Sequence, residues 1–306
     1  LDLWETQVTD KGVAHLSGLT WLRELQVGSP HISSASLVHL AGMTRLKVLS
    51  CCKLPMGRHS FAPPEVHSQV PVRESELASL DQLTALESLH LWGSPITDQG
   101  LRHLRGMTRL KGLYLVNAPV TSKGLEHLRG LTNLELVGLE RSRVESLEPL
   151  RHLPKLQTLF LTGTPVDDAG LAPIEDLHGL GHLVLADTKV TDAGLAHLSA
   201  LHQLQHLRIE GTQITDGGLS HLSGLKKLNQ LILSRTPITD EGLVHLCGLP
   251  KLRALVVDET QVTSQGLRAF WAASRLRRAP TSMGSTGARR GVAAAPALPP
   301  GGSITP

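Results

Sequence analysis

The stretch LVLADTKVTDAGLAHLSALHQLQH, residues 183–206, returns 24 residues later as LRIEGTQITDGGLSHLSGLKKLNQ and again as LILSRTPITDEGLVHLCGLPKLRA. A fixed period of this length marks a solenoid, in which each unit touches only its neighbours and the core grows in one dimension. The period therefore overrides the two-domain expectation that 306 residues would otherwise suggest. Eleven units can be laid out, opening at Leu1, Leu25, Leu49, Leu89, Leu113, Val137, Leu159, Leu183, Leu207, Leu231 and Leu255.

Each unit opens on an apolar–x–apolar triplet such as Leu89-His90-Leu91, the alternation a short strand needs to bury one face and present the other. A Val or Ile follows five residues after the second apolar position, as at Ile96, Val120 and Ile214. Between them stands a hydroxyl in eight units, among them Thr164, Thr188, Thr212 and Thr236, placed to satisfy backbone groups where the chain leaves the strand. Thr-Asp-x-Gly-Leu comes next, as at Thr97–Leu101. Thr or Asp is expected to cap the amides of a helix start there, with Asp opposing the positive end of its dipole. Leucines advancing by three (Leu195, Leu198, Leu201, Leu204) suit about two turns of helix that tighten before the next strand.

These residues resemble the leucine-rich repeat family, whose core pattern LxxLxLxx(N/C)xL is met here with Thr or Ser in the Asn place. The Thr-Asp-x-Gly-Leu start is similar to the repeats of bacterial leucine-rich-repeat proteins and of F-box substrate receptors. The resemblance covers residues 1–274 and implies an α/β fold: a curved horseshoe with a concave parallel sheet and short helices on the convex side.

Two units depart from the period. The third is 16 residues longer than the norm, and Pro55, Pro63, Pro64 and Pro71 keep an insertion at about 52–76 out of regular structure. The sixth, residues 137–158, is two residues short and replaces the Gly-Leu start with Glu145-Ser146-Leu147, which predicts a local change of curvature. From Arg275 to Pro306 the pattern stops; an Arg-, Ala-, Pro- and Gly-rich stretch without large apolar residues cannot bury a core and reads as a disordered tail. Phe270 and Trp271 stand where they can seal the last unit.

The tail carries five Arg and no acid, so the chain's net charge of +3 leaves the repeats at about −2. That argues against nucleic acid as partner. No run of 18 apolar residues predicts a membrane span. Three cysteines, Cys51, Cys52 and Cys247, cannot close paired extracellular caps, which favours a reducing compartment such as the cytoplasm. The chain opens at Leu1 already inside a strand and reads as a fragment.

Seven histidines recur at one position (His15, His39, His103, His127, His197, His221, His245), one per layer. A row at about 5 Å or more per layer does not converge as metal ligands must, so no metal and no other cofactor is expected. Cys51, Cys52, His59 and His67 match no zinc spacing. Nucleophile-elbow, phosphate-loop and zinc-protease motifs are absent, so neither an enzyme nor a small-molecule substrate is expected.

The residues that the strand pattern turns outward are more informative. Of eight aromatic residues, Trp4, Trp92, Tyr114 and Phe160 fall on this face, where exposed Trp, Tyr and Arg are typical of binding hot spots; aromatics also suit strands in general. Glu140, Arg141, Arg208, Glu210 and Arg235 add charges of both signs, which suits a protein surface better than DNA phosphate. The leading expectation is a non-catalytic interaction module that binds a protein or peptide on its concave face through Trp92, Tyr114 and Phe160, with those five charged residues around them. The F-box resemblance implies an alternative, the substrate-recognition part of a ubiquitin-ligase complex; a structural spacer is the third.

Overall fold

In the computed structural model the described residues are 1–4, 6–28, 31–51 and 72–274. Ten three-residue strands form one sheet: β1 (Glu24–Gln26), β2 (Val48–Ser50), β3 (Ser88–His90), β4 (Gly112–Tyr114), β5 (Leu136–Gly138), β6 (Thr158–Phe160), β7 (His182–Val184), β8 (His206–Arg208), β9 (Gln230–Ile232) and β10 (Ala254–Val256). They pair in parallel and in chain order, as a stack of like units must. Each strand begins one residue before the apolar triplet, so two of its three side chains face outward. The first unit adds only a bridge, Asp2 to Gln26.

The register puts Leu89, Leu113, Val137, Leu159 and Leu183 side by side, and these residues are fully buried. One layer contributes seven apolar side chains, Leu207, Ile209, Ile214, Leu219, Leu222, Leu225 and Leu228, each with no exposed surface. At the far end Phe270 is buried on the helix Ser264–Ala273 and Trp271 packs against the core, so the two cover the last layer.

The threonines of the hydroxyl column close their strand exits, while Ser94 accepts from Val72 N–H and Ser142 Oγ is enclosed without a partner among the described residues. Thr6, Thr164, Thr188, Thr212, Thr236 and Thr260 donate from Oγ1 to the carbonyl three residues back at 2.5–2.7 Å. Burial without a partner would cost each hydroxyl about 1–3 kcal/mol, so the local bond is what allows a polar column beside the leucines.

Apart from the ten-residue Ser264–Ala273, the α-helical pieces are four or five residues long. α-Helical turns of four or five residues, such as Ser122–Leu125 and Asp192–Ala196, pass into 3₁₀ segments. Gly100–Leu104, Gly218–Leu222 and Gly242–Leu246 are 3₁₀ throughout. Leucines spaced by three match the three-residue turn of that helix better than the 3.6-residue α-turn.

The Asp of the Thr-Asp-x-Gly motif has a different role from the expected cap. Asp98 accepts from the Thr121 amide (2.7 Å) and the Thr121 hydroxyl (2.6 Å) of the following unit. Asp168 holds Thr191 in the same way, Asp192 holds Thr215, Asp216 holds Thr239, and Asp240 holds Thr263. The motif Gly of the receiving unit lies against that carboxylate: a Cβ on Gly218 would sit 2.3 Å from Asp192 Oδ1, and one on Gly242 2.3 Å from Asp216 Oδ1. Asp therefore belongs to one layer and its Thr and Gly partners to the next.

The short sixth unit lacks this tie. Ser122 stands in the Asp place and its Oγ accepts from the amides of Glu145 (3.1 Å) and Ser146 (2.8 Å). Only the 3₁₀ segment Glu148–Leu150 remains there. Of the insertion, 52–71 lies outside the described residues; Val72 is buried, and Glu74–Leu77 restores the helical turn. The tail from Arg275 to Pro306, with its expected disorder, also lies outside them.

Candidate interaction face

The outer face of the sheet carries three columns of side chains: the first and third residue of each strand, and the residue two further on. From β3 to β8 the middle column reads His90, Tyr114, Gly138, Phe160, Val184 and Arg208. The third column reads Trp92, Val116, Glu140, Thr162, Ala186 and Glu210. Its place on the sheet is fixed by backbone bonds that continue beyond the strands, such as Gly93 N–H to Val116 O (2.8 Å) and Asn117 N–H to Glu140 O (2.7 Å).

Two apolar clusters sit on this face, separate from the leucine core. Trp92 and Val116 form one, with Tyr114 packed against it. Phe160, Val184 and Ala186 form the other, which Tyr114 and Leu136 also touch. Sequence periodicity made Trp92, Tyr114 and Phe160 exposed anchors, but Trp92 is only 7% and Phe160 only 6% exposed, and Tyr114 is partly covered. The reason is lateral: strands about 4.8 Å apart bring same-face side chains of neighbouring units into contact, so a large ring is covered by the next one. Tyr114 stacks on His90 with ring centroids 4.2 Å apart and 12° between planes, and the Trp92 ring lies 6.5 Å away, tilted.

Gly138 interrupts the ring column between Tyr114 and Phe160. A Cβ there would meet Glu140 Oε2 at 3.0 Å and Tyr114 Cδ1 at 3.3 Å, so the Glu140 carboxylate occupies the space a side chain would take. Glu140 keeps part of its surface open while its Oε2 is enclosed and without a hydrogen-bond partner. Burial raises its carboxyl to about 7, and burial together with the Glu140 charge raises the Tyr114 phenol to about 12. Burial also lowers the His90 imidazole to about 4. His90 Nδ1 and Trp92 Nε1 are two more enclosed polar atoms without a partner around the same tyrosine. Such atoms are rare in folded proteins and concentrate where something else completes them.

The remaining charges are arranged differently. Arg208 pairs with Glu210 in its own unit, which leaves Glu210 7% exposed. Arg141 and Arg235 are not on the face itself: with φ of 56° and 57° they occupy the left-handed turn that follows the third column. Arg235 reaches back across Gly211 to Asp187, 3.0 Å away. Gly211 makes this possible, since its Cβ would stand 2.1 Å from Asp187 Oδ1. The structure thus gathers Trp92, Tyr114, Glu140 and Phe160 into one patch, places Arg208–Glu210 two strands beyond Phe160, and sets Arg141 and Arg235 on the rim.

Sequence reasoning passed over the first column, where His182 lies edge-on to Phe160 (5.4 Å) and next to His206 (5.2 Å). The signal was present: that column precedes the apolar triplet by one residue in every unit. On the opposite side three of the recurrent histidines bond to neighbouring layers, His103 to Asp81 (3.0 Å), His197 to Glu175 (2.6 Å) and His127 to Arg105 (2.6 Å). Among the described residues no three His, Cys, Asp or Glu side chains converge as metal ligands, and no helix is long and apolar enough to cross a membrane.

Comparison with known proteins agrees with this architecture. A family model described as Leucine Rich repeat matches residues 200–223 and 224–247. The structure is similar to an internalin (inlF) from Listeria monocytogenes, with TM-score 0.66 and 22% identity over 87% of this chain and 70% of that one. It is also similar to an internalin C2 of the same organism (TM-score 0.52, 24% identity, 67% of this chain and 81% of that one). A TDR receptor gives TM-score 0.52 at 17% identity over 84% of this chain and 43% of that one. No curated protein sequence matches. From its parallel strands in chain order, its leucine layers and these likenesses, the chain is folded as a leucine-rich-repeat solenoid.

Proposed function

We propose that this solenoid is a non-catalytic module that binds a protein or peptide on the concave face of its sheet, centred on Tyr114. The observation that carries the reading is the pair of apolar clusters on the sheet's outer face, joined through Tyr114 and lying outside the core. The core does not require them, because each layer is already filled by its aliphatic residues. A flat, rigid, partly covered aromatic patch ringed by charge has the composition of a binding hot spot with its rim. The enclosed polar atoms of His90, Trp92 and Glu140 beside Tyr114 support the same place.

The test uses peptides selected from a random display library on the purified chain. Their affinities are then measured for the wild type, Tyr114→Ala and a control on the opposite side, His221→Ala, all checked for fold by circular dichroism. Tyr114→Ala should weaken binding at least about fivefold, and His221→Ala should leave it unchanged. Equal affinity for the wild type and Tyr114→Ala would remove this face from consideration.

A further inference from the structure

Glu140 differs from the other carboxylates of this patch in having no cation of its own. Glu210 is met by Arg208, and Asp187 by Arg235. Among the described residues no Lys, Arg or His pairs with Glu140, and the sequence neighbour Arg141 turns away, its Cγ 3.4 Å from where a Cβ on Gly163 would stand. Gly138 gives the carboxylate its place on the sheet, beside the Tyr114 ring and next to Phe160 on the adjoining strand. An enclosed carboxylate without a counter-charge is costly to keep ionised, and protonation or pairing is how folded chains usually resolve it. Here the rings beside it offer flat surface to an aliphatic stem and a favourable face to a cation.

We propose that the Glu140 carboxylate, seated over Gly138, receives a basic side chain, lysine or arginine, of the protein partner, with Glu140 as counter-charge and Tyr114 and Phe160 as the flanking rings. The inference rests on the reading of the sheet face as the docking surface and specifies the chemistry of the occupant. The partly open surface of Glu140 gives the cation its approach from solvent, and a turn of the carboxylate presents Oε2, the enclosed acceptor that the fold leaves unused. An arginine fits especially well, since its planar guanidinium can stack on Tyr114 while donating to the carboxylate.

The experiment uses peptides from the same display selection, sequenced and resynthesised with each Lys or Arg replaced by norleucine or citrulline. The expected result is one shared basic position whose replacement weakens binding to the wild type about tenfold and to Glu140→Gln less than twofold. Absence of a shared basic position, or an equal loss on Glu140→Gln, overturns the assignment. Because the peptide-side replacement is read on the unaltered chain, a misfolded variant would not obscure the outcome. Tyr114→Ala separates the two ideas: if it abolishes binding while the basic position proves irrelevant, the docking face stands and the Glu140 assignment falls. If Tyr114→Ala binds every selected peptide as the wild type does, or nothing is retained on the wild type above Tyr114→Ala, both fall.

Discussion

Consider Gly242→Ala together with Asp216→Ala. Asp216 accepts from the amide (2.8 Å) and hydroxyl (2.6 Å) of Thr239 in the next layer. Two bonds to a partly buried carboxylate amount to about 1.5–3 kcal/mol, so Asp216→Ala should cost that much. A methyl on Gly242 would stand 2.3 Å from Asp216 Oδ1 and 3.0 Å from its Cγ, so the carboxylate must leave and both bonds go with it. Steric displacement adds to the loss, and Gly242→Ala alone should cost about 2–4 kcal/mol. Once Asp216 is alanine, its carboxylate no longer opposes the methyl; Leu219 Cδ1, 3.1 Å away, has to give by a few tenths of an ångström. Alanine is also the better helix former by about 1 kcal/mol, so Gly242→Ala should then be nearly neutral. The coupling between the two sites is therefore about 2 kcal/mol or more, measured by urea unfolding of the four proteins followed by circular dichroism. Hydrogen exchange of the Thr239 amide gives a local readout should the array unfold in stages. Additivity within about 0.5 kcal/mol would refute the inter-layer tie.

Three further outcomes follow from the same geometry. Glu140, raised from 4.5 to about 7, holds a proton in the folded chain that the unfolded chain has released, so its contribution to stability falls as pH rises through that interval. His90, lowered from 6.5 to about 4, acts in the opposite sense and costs stability as pH falls below 6.5. Glu140→Gln should therefore stabilise the chain at pH 8 by about 1–3 kcal/mol and leave a profile that only rises between pH 4 and 6.5, as urea titrations across pH would read. Gly211→Ala, at φ +67° and in contact with Asp187, should lower stability by about 1–3 kcal/mol in thermal or urea melts. Glu259→Gly, at φ 58° in the equivalent turn, should raise stability by about 0.5–1 kcal/mol in the same assay.

The layers were legible in the sequence because leucine spacing has a single physical solution: triplets that alternate, and a segment that advances by three. The columns of the sheet face were legible too, and Trp92, Tyr114, Phe160 and Glu140 fall in them. Their burial was not legible, since it depends on contact between residues 22–26 apart whose sizes vary from unit to unit. Gly138 shows the difficulty well. In the sequence it is one small residue among the outward positions; in the structure its missing side chain is what gives Glu140 a place beside Tyr114. Arg141 and Arg235 were read with that column although they belong to the turn after it, where a left-handed backbone aims them along the rim. The Thr-Asp-x-Gly motif reads as a self-contained cap because its residues are adjacent. Its first residue does cap its own helix at Thr121, Asp167 and Thr263, but the Asp bonds join different copies, and periodicity looks identical in both cases.

That last arrangement bears on how such a chain can grow. A 24-residue segment excised anywhere in the regular region contains one outgoing carboxylate and one incoming threonine–glycine socket, so a duplicated segment fits between its neighbours with every socket filled. Gene duplication or loop-to-loop grafting should thus extend residues 183–263 without redesign. The joint at Ser122–Glu145 has neither the plug nor the socket. A copy inserted there would have to bring its own, and that boundary should resist lengthening where the rest accepts it.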